Sequence, residues 1–278
     1  MKSGSKYLIT GVLMLLLVSL VLVGPVSAAT TINSLPYTIT IPGVYELGKD
    51  FENFAGPKAI EVRASDVIID GLGFKLDGVD NPNSVGIWAS TYWQNGIDYE
   101  SANLTVQNIK VSDFACGVLI YKTQGETVTG NTFTSNTNAV NFQVVRNSRI
   151  SSNTFSGNGN GVTLWATTNT GVNDNTFTMD GITGLTVGST SSESMIRDNR
   201  FTSDMLAILL DEGSTTATIT GNRISATAAG DALKTGIQIA GSKENTIYNN
   251  IFDTYNNVKT TNTANVWCLA SAGKNIVG

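Results

Sequence analysis

Asp174 and Asp198 stand 24 residues apart in a chain that repeats itself at close to that distance. Arg200 and Arg223 stand in the same relation to each other, and Arg197 lies beside them. Carboxylates stacked one repeat apart can share a proton or a cation, and a carboxylate pair with arginine is what a lyase or hydrolase uses. The structural alternative is a surface ion-pair ladder, or aspartate replacing asparagine in a turn; elsewhere this column holds Gly, Ser or Asn. A second group is aromatic. Trp88, Tyr92, Trp93 and Tyr99 cluster with Asp77, Asp80, Asp98 and Glu100 around them. Sugar CH groups stack on flat rings while hydroxyls bond to acids, so this group suits a glycan. The alternative is that the rings pack a loop onto the fold. A third group emerges from alternation: Tyr121, Asn141, Gln143, Trp165 and Asp211 share one parity and form a polar and aromatic track. Its alternative is an ordinary solvated sheet face.

Composition removes several chemistries. No histidine occurs among the 278 residues. That excludes Ser-His-Asp and Cys-His catalysis and any imidazole metal site. Copper would call for clustered His, Cys or Met, whereas Met179, Met195, Met205, Cys116 and Cys268 are scattered. No metal and no cofactor is expected. The formal net charge of −5 argues against nucleic acid as a partner. No phosphate-binding glycine loop sits between a strand and a helix.

The elements that position these residues follow from the repeat. Asn-x-Phe recurs at Asn131, Asn153, Asn175 and Asn199, and continues as Asn222-Arg-Ile224 and Asn250-Ile-Phe252. The spacings are 22, 22, 24, 23 and 28. A second series with the same period begins at Gly117, Ala139, Gly161, Gly184, Ala207 and Gly236, and each member opens an apolar-x-apolar segment. Short alternating segments with no room for a helix are strands. A unit of 22–24 residues built this way is one coil of a parallel β-helix, so like residues stack above like. The expected fold is all-β, a right-handed single-stranded parallel β-helix of about 8–9 coils. Asn in each coil suits a bend in the left-handed region, with its amide bonding along the stack. Phe133, Phe155, Phe177 and Phe201 should form an interior ladder. All five prolines precede residue 83, which leaves every later strand free to pair.

The ends read differently. Lys2 and Lys6 precede an apolar run to Val23, and Val26-Ser-Ala28 offers small residues for cleavage. Residues 1–29 are therefore expected to be a signal peptide, and the protein to be secreted or on the cell surface. Residues 30–59 read as a hairpin-like cap, and 60–278 as the β-helix, with insertions at 79–101 and 225–235. At the other end, Ile276-Val-Gly278 opens another strand without a closing cap, which suggests self-association or partner docking there. Cys116 and Cys268 lie about six coils apart, roughly 30 Å at the strand spacing. That is beyond disulfide reach.

From Ile39 onward the sequence resembles the NosD-like right-handed β-helix proteins, most closely the exported surface proteins of that group common in methanogenic archaea. The residues that carry this are Ile41-Pro-Gly-Val-Tyr-Glu-Leu47, Ile60-Glu-Val-Arg-Ala-Ser-Asp-Val-Ile-Ile-Asp-Gly71 and the Asn-x-Phe coils. The resemblance implies the fold. It leaves the activity open, because such coils serve sugar hydrolases, lyases, carbohydrate binders and accessory proteins of copper-enzyme maturation. The expected role is a non-catalytic surface module that binds a glycan or envelope polysaccharide. The alternative is a polysaccharide lyase or glycoside hydrolase.

Overall fold

The structure is a computed structural model that describes residues 28–94, 97–99, 101–178, 180–202, 206–225, 235–253, 259–260, 266–268 and 276–277. The expected signal peptide therefore lies almost wholly outside the described residues, as do most of the 225–235 insertion and most of the C-terminal end.

The described residues form a parallel β-solenoid of about eight turns. One coil shows the plan: Thr127–Thr129 runs in a first sheet, Thr132–Thr134 in a second, and Asn138–Gln143 in a third. The three sheets hold 11, 9 and 10 strands. Coil stacks on coil in exact register, so Val128 pairs with Ile150, Phe133 with Phe155, and Val140 with Val162. Each strand alternates buried and outward residues, as a pleat requires.

Two interior columns hold this register. Phe133, Phe155, Phe177 and Phe201 stack with ring centroids 5.2, 4.6 and 4.5 Å apart and nearly parallel planes. The small residues facing them make room. A Cβ on Gly184 would come 2.8 Å from the Phe201 ring and 2.9 Å from the Ala207 carbonyl. The Gly/Ala series is thus explained by packing against the Phe stack as well as by chain direction.

The second column is asparagine. Asn131, Asn153, Asn175, Asn199, Asn222 and Asn250 are buried at the turn between the first and second sheets. Asn153 Oδ1 accepts the Asn131 amide at 2.9 Å and Asn131 Nδ2 at 3.0 Å. Asn175 Oδ1 does the same for Asn153, and Asn199 for Asn175. Each Nδ2 also donates to a strand carbonyl of the coil below, as Asn153 does to Val128 at 2.9 Å. The ladder thus satisfies amides at a corner where strand pairing stops. Each unpaired buried group there costs about 1–3 kcal/mol. A shorter ladder, Asn136, Asn158 and Asp180, serves the next turn.

Two expectations change. The left-handed residue is the one before each asparagine: Gly130, Ser152, Asp174, Asp198, Gly221 and Asn249 have φ between 54° and 68°. The asparagine itself points inward, where its amide is needed. The hairpin reading of the first strands is also corrected. Thr30–Ile32 pairs in parallel with Gly43–Leu47, and Tyr37–Ile39 with Lys58–Val62, so these strands already follow the stack. Their corners lack the asparagine marker, which hid the period.

Two predictions arise from the interior. Cys116 is a buried free thiol that burial pushes up to about 12, and its strand lies six sheet positions from Val266–Cys268. Native protein should leave Cys116 unlabelled by a thiol reagent at pH 8 while unfolded protein labels at both cysteines without reductant; an intrachain 116–268 bridge would contradict the coil order. The second concerns Glu126, which is fully buried and accepts the Leu104 amide at 2.7 Å. Burial pushes its carboxyl up to about 7 from an ordinary 4.5. The folded state therefore keeps a proton that the unfolded chain releases. Stability from this group is complete below pH 4.5, declines as pH rises to 7, and stays lower above it, by about 3 kcal/mol in all. Glu126→Gln should stabilise the fold near pH 8 and leave it unchanged near pH 4 in urea unfolding; identical profiles for both proteins would show that Glu126 is not buried as a carboxyl.

Candidate functional site

The outward face of the third sheet brings together most of the track residues. One column runs Ser90, Tyr121, Gln143, Trp165 and Gly188, each paired directly with the next. Asp211 continues it, its Cβ 3.4 Å from where a Gly188 Cβ would stand. Trp165 is 49% exposed, while Tyr121, Gln143 and Asp211 are half-buried as expected on a flat face. Gly188 adds no side chain, and the Trp165 ring edge lies over it, 3.9 Å from the would-be Cβ. The neighbouring outward column is Glu61, Trp88, Leu119, Asn141, Thr163 and Thr186.

Trp88 is therefore not in a projecting loop. Val85–Ser90 is a strand of the third sheet, with Val85, Ile87 and Ala89 facing the core. The Lys58 ammonium covers the Trp88 ring at 4.1 Å, and Trp88 Nε1 donates to Ser90 Oγ at 2.9 Å. Lys58 and Arg63 both bind Glu61, each at 2.9 Å. Partial burial pushes the Glu61 carboxyl up, but these two partners more than offset it and hold the group below its ordinary value. What projects is the antiparallel pair Tyr92–Gln94 and Ile97–Tyr99, with Tyr92 opposite Tyr99 and Trp93 opposite Asp98. The side chains of that pair lie outside the described residues.

The charged corner is elsewhere on the solenoid, between the first and second sheets. Asp174 and Asp198 are exposed and adjacent in one column, with φ of 57° and 56°. Asp174 donates its amide to the Arg197 carbonyl, and Asp198 to that of Thr220. Arg200 pairs in register with Arg223, and all three arginines are exposed. The left-handed backbone accounts for aspartate here, since Asn, Gly and Ser fill the same position in other coils.

A carboxyl pair that the sequence did not single out lies at the start of the second sheet. Lys75–Asp77 and Lys110–Ser112 pair in register, and Asp113 follows with φ of 59°. Asp77 accepts the Ser112 hydroxyl and pairs with Lys75 at 2.9 Å. Burial pushes Asp77 up, but hydrogen bonds from Ser112, Lys75, Asp113 and the Asn53 amide outweigh it and leave Asp77 below its ordinary value. Asp113 moves the other way, raised by burial, by its hydrogen bond to Asp77 and by the charges of Asp77 and Asp80. The two carboxyls are thus pushed in opposite directions, Asp113 being the one that holds a proton more readily. The separation of 36 residues, one coil plus the projecting pair, conceals it from a search at the usual period.

Residues 70–278 match the profile of a family described as periplasmic copper-binding protein (NosD). The chain belongs to the NosD family. Copper sites draw on imidazole, thiolate and thioether donors. This member has no histidine, its Cys116 thiol is buried and held protonated, and Met195 stands exposed on a different sheet. Among the described residues no group of three or more His, Cys, Asp or Glu could hold a metal. The donor set does not fit copper.

Solved structures share the fold. A DFA-IIIase from Arthrobacter chlorophenolicus A6 in complex with GF2 is 13% identical with a TM-score of 0.60, over 86% of this chain and 79% of that one. The enzymatically active domain of bacteriophage CBA120 tailspike protein 2 is 13% identical with a TM-score of 0.59, over 86% and 42%. The Dettilon tailspike protein is 15% identical with a TM-score of 0.58, over 90% and 58%. The chain thus spans about half the length of these tailspike proteins. No protein of curated function matches the sequence.

Removing Asp77 should free its partner. In Asp77→Asn the Asp113 carboxyl should titrate closer to an ordinary aspartate, followed by carboxyl-carbon NMR. An Asp113 titration that does not move would contradict the influence of Asp77 on it.

Proposed function

We propose that this NosD-family protein is an exported, cell-surface β-helix module that binds glycan, without turnover, on the outward face of the third sheet. The observation that carries this reading is the Tyr121–Gln143–Trp165 column, two rings with an amide between them in strict register. Rings supply stacking surfaces for sugar CH groups, and the amide offers both a donor and an acceptor for hydroxyls. Asp211 adds a carboxylate at the far end, and Trp88 a ring already occupied by Lys58. Tyr92 and Trp93 on the projecting pair are further candidates. The family's periplasmic description and the apolar N-terminal run support export.

The competing reading is a polysaccharide lyase or glycoside hydrolase. An enzymatically active tailspike domain and an -ase bound to GF2 among the structural neighbours favour it. Catalysis needs an acid and a base converging on the bound sugar. Here Glu61 is tied between two cations, Asp211 stands alone in its column, and Asp77 with Asp113 belongs to another sheet. Asp174 and Asp198, with Arg197, Arg200 and Arg223, would have to act from the turn on the opposite corner. The distribution supports binding over turnover.

On a glycan array the protein should bind without releasing reducing ends or absorbance at 235 nm. Trp165→Ala should weaken the best hit about thirtyfold, the loss expected of a stacking ring worth about 2 kcal/mol. Its unfolding midpoint should barely move, because the ring is half-exposed. Unchanged affinity in a variant lacking Trp88, Trp93, Tyr121 and Trp165 together would refute the aromatic platform.

A further inference from the structure

The track has a length and a repeat, and these restrict the sugar. Each coil advances the column by about 4.8 Å, the spacing of hydrogen-bonded strands. Tyr121 and Trp165 are two coils apart, so equivalent stacking surfaces recur at roughly 10 Å, with Gln143 midway. The column is straight over this stretch, because every pairing is direct and unshifted. Beyond Trp165 it passes Gly188, which the indole edge overlies, and reaches Asp211. Between the two rings it carries no charge; Lys122 flanks Tyr121 at 5.1 Å and Asp211 marks the other end.

We infer that the ligand is a neutral, extended β-1,4-linked hexopyranose chain lying parallel to the solenoid axis, one sugar per coil. The inference rests on the glycan-binding reading above and names the class of sugar for that site. In a β-1,4-linked chain of gluco or manno configuration both bridging bonds are equatorial. The polymer is therefore a nearly straight ribbon whose residues advance by about one strand spacing each. Successive sugars turn over, so the same ring face returns at every second residue. That is the period at which Tyr121 and Trp165 recur. The sugar between them presents its opposite face over Gln143, whose amide both donates to and accepts from the hydroxyls at that sugar's rim. An α-1,4-linked chain curves and leaves a straight column after two or three residues. A polyuronate would set a carboxylate on nearly every coil of a column that already carries Asp211, while Lys58 and Arg63 on this face are engaged by Glu61 and Lys122 alone flanks the rings. Charge and straightness thus point to the same neutral ribbon.

The test is titration calorimetry of the exported chain with hexasaccharides of different linkage. Cellohexaose, chitohexaose and β-1,4-mannohexaose should include ligands that bind at least tenfold more tightly than maltohexaose. Affinity should climb from disaccharide to tetrasaccharide as the second ring is reached. The double exchange Gln143→Trp with Trp165→Gln keeps the composition and moves the rings to adjacent coils, so it should erase the linkage preference. Maltohexaose binding as tightly as every β-1,4 chain, with Trp165→Ala still abolishing it, overturns the ribbon inference and leaves the glycan site standing. If no oligosaccharide and no polysaccharide binds, the site and the inference fall together.

Discussion

A side-chain carbonyl taking the backbone amide of the coil below is the contact on which the rest of this solenoid depends. Strand pairing fixes register along the sheets, but each coil must turn three corners, and a corner amide has no strand partner. Asn131 supplies one to the Ile109 amide from inside, and Asn153, Asn175, Asn199, Asn222 and Asn250 each accept both the amide and the Nδ2 of the asparagine beneath. The residue before each asparagine then adopts the left-handed conformation that carries the chain outward again. With the corners locked, Phe133 to Phe201 stack nearly parallel, and the third sheet can only place like above like.

The proposed binding face is a consequence of that order. Tyr121, Gln143 and Trp165 are 22 residues apart in sequence and belong to three different coils, yet they form one line because nothing slips. A flat parallel sheet presents no cleft. Its capacity to recognise a ligand lies in repetition along the axis, which matches polymers better than small molecules. Acidic chemistry is distributed differently. Glu61 is neutralised on the spot, Asp77 and Asp113 are hydrogen-bonded to each other and shifted in opposite directions, and Asp174 and Asp198 answer a backbone need. Copper, named in the family description, finds no donor set among the described residues of this histidine-free member.

Much of this was legible in the sequence, and the failures have a common origin. The period, the Phe ladder and the parity of Tyr121, Asn141, Gln143, Trp165 and Asp211 could be read because Asn-x-Phe marks each coil. Before Asn131 that marker is missing. Residues 35–50 therefore looked like a hairpin, although their strands pair in parallel on two different sheets, and Trp88 looked like part of a projecting loop, although it sits on the third sheet. The projecting pair from Tyr92 to Tyr99 lengthens that coil, which also hid the Asp77–Asp113 contact. The left-handed position was misplaced by one residue for a different reason. Asparagine suits both the turn and the interior ladder, and burial of its amide decides between them. Asp174 and Asp198 attracted attention as a charged pair, but side-chain type alone does not reveal a φ of 57°.

The central claim is that coil register builds a single linear binding track on the third sheet. Chemical-shift mapping of nitrogen-15-labelled protein with a saturating β-1,4-linked hexasaccharide tests it most directly. Perturbed amides should fall along Tyr121, Gln143, Trp165, Gly188 and Asp211, with the Trp165 indole N–H moving most. Perturbations gathered at Asp174, Asp198 and the flanking arginines, with the Trp165 indole unmoved, would contradict it.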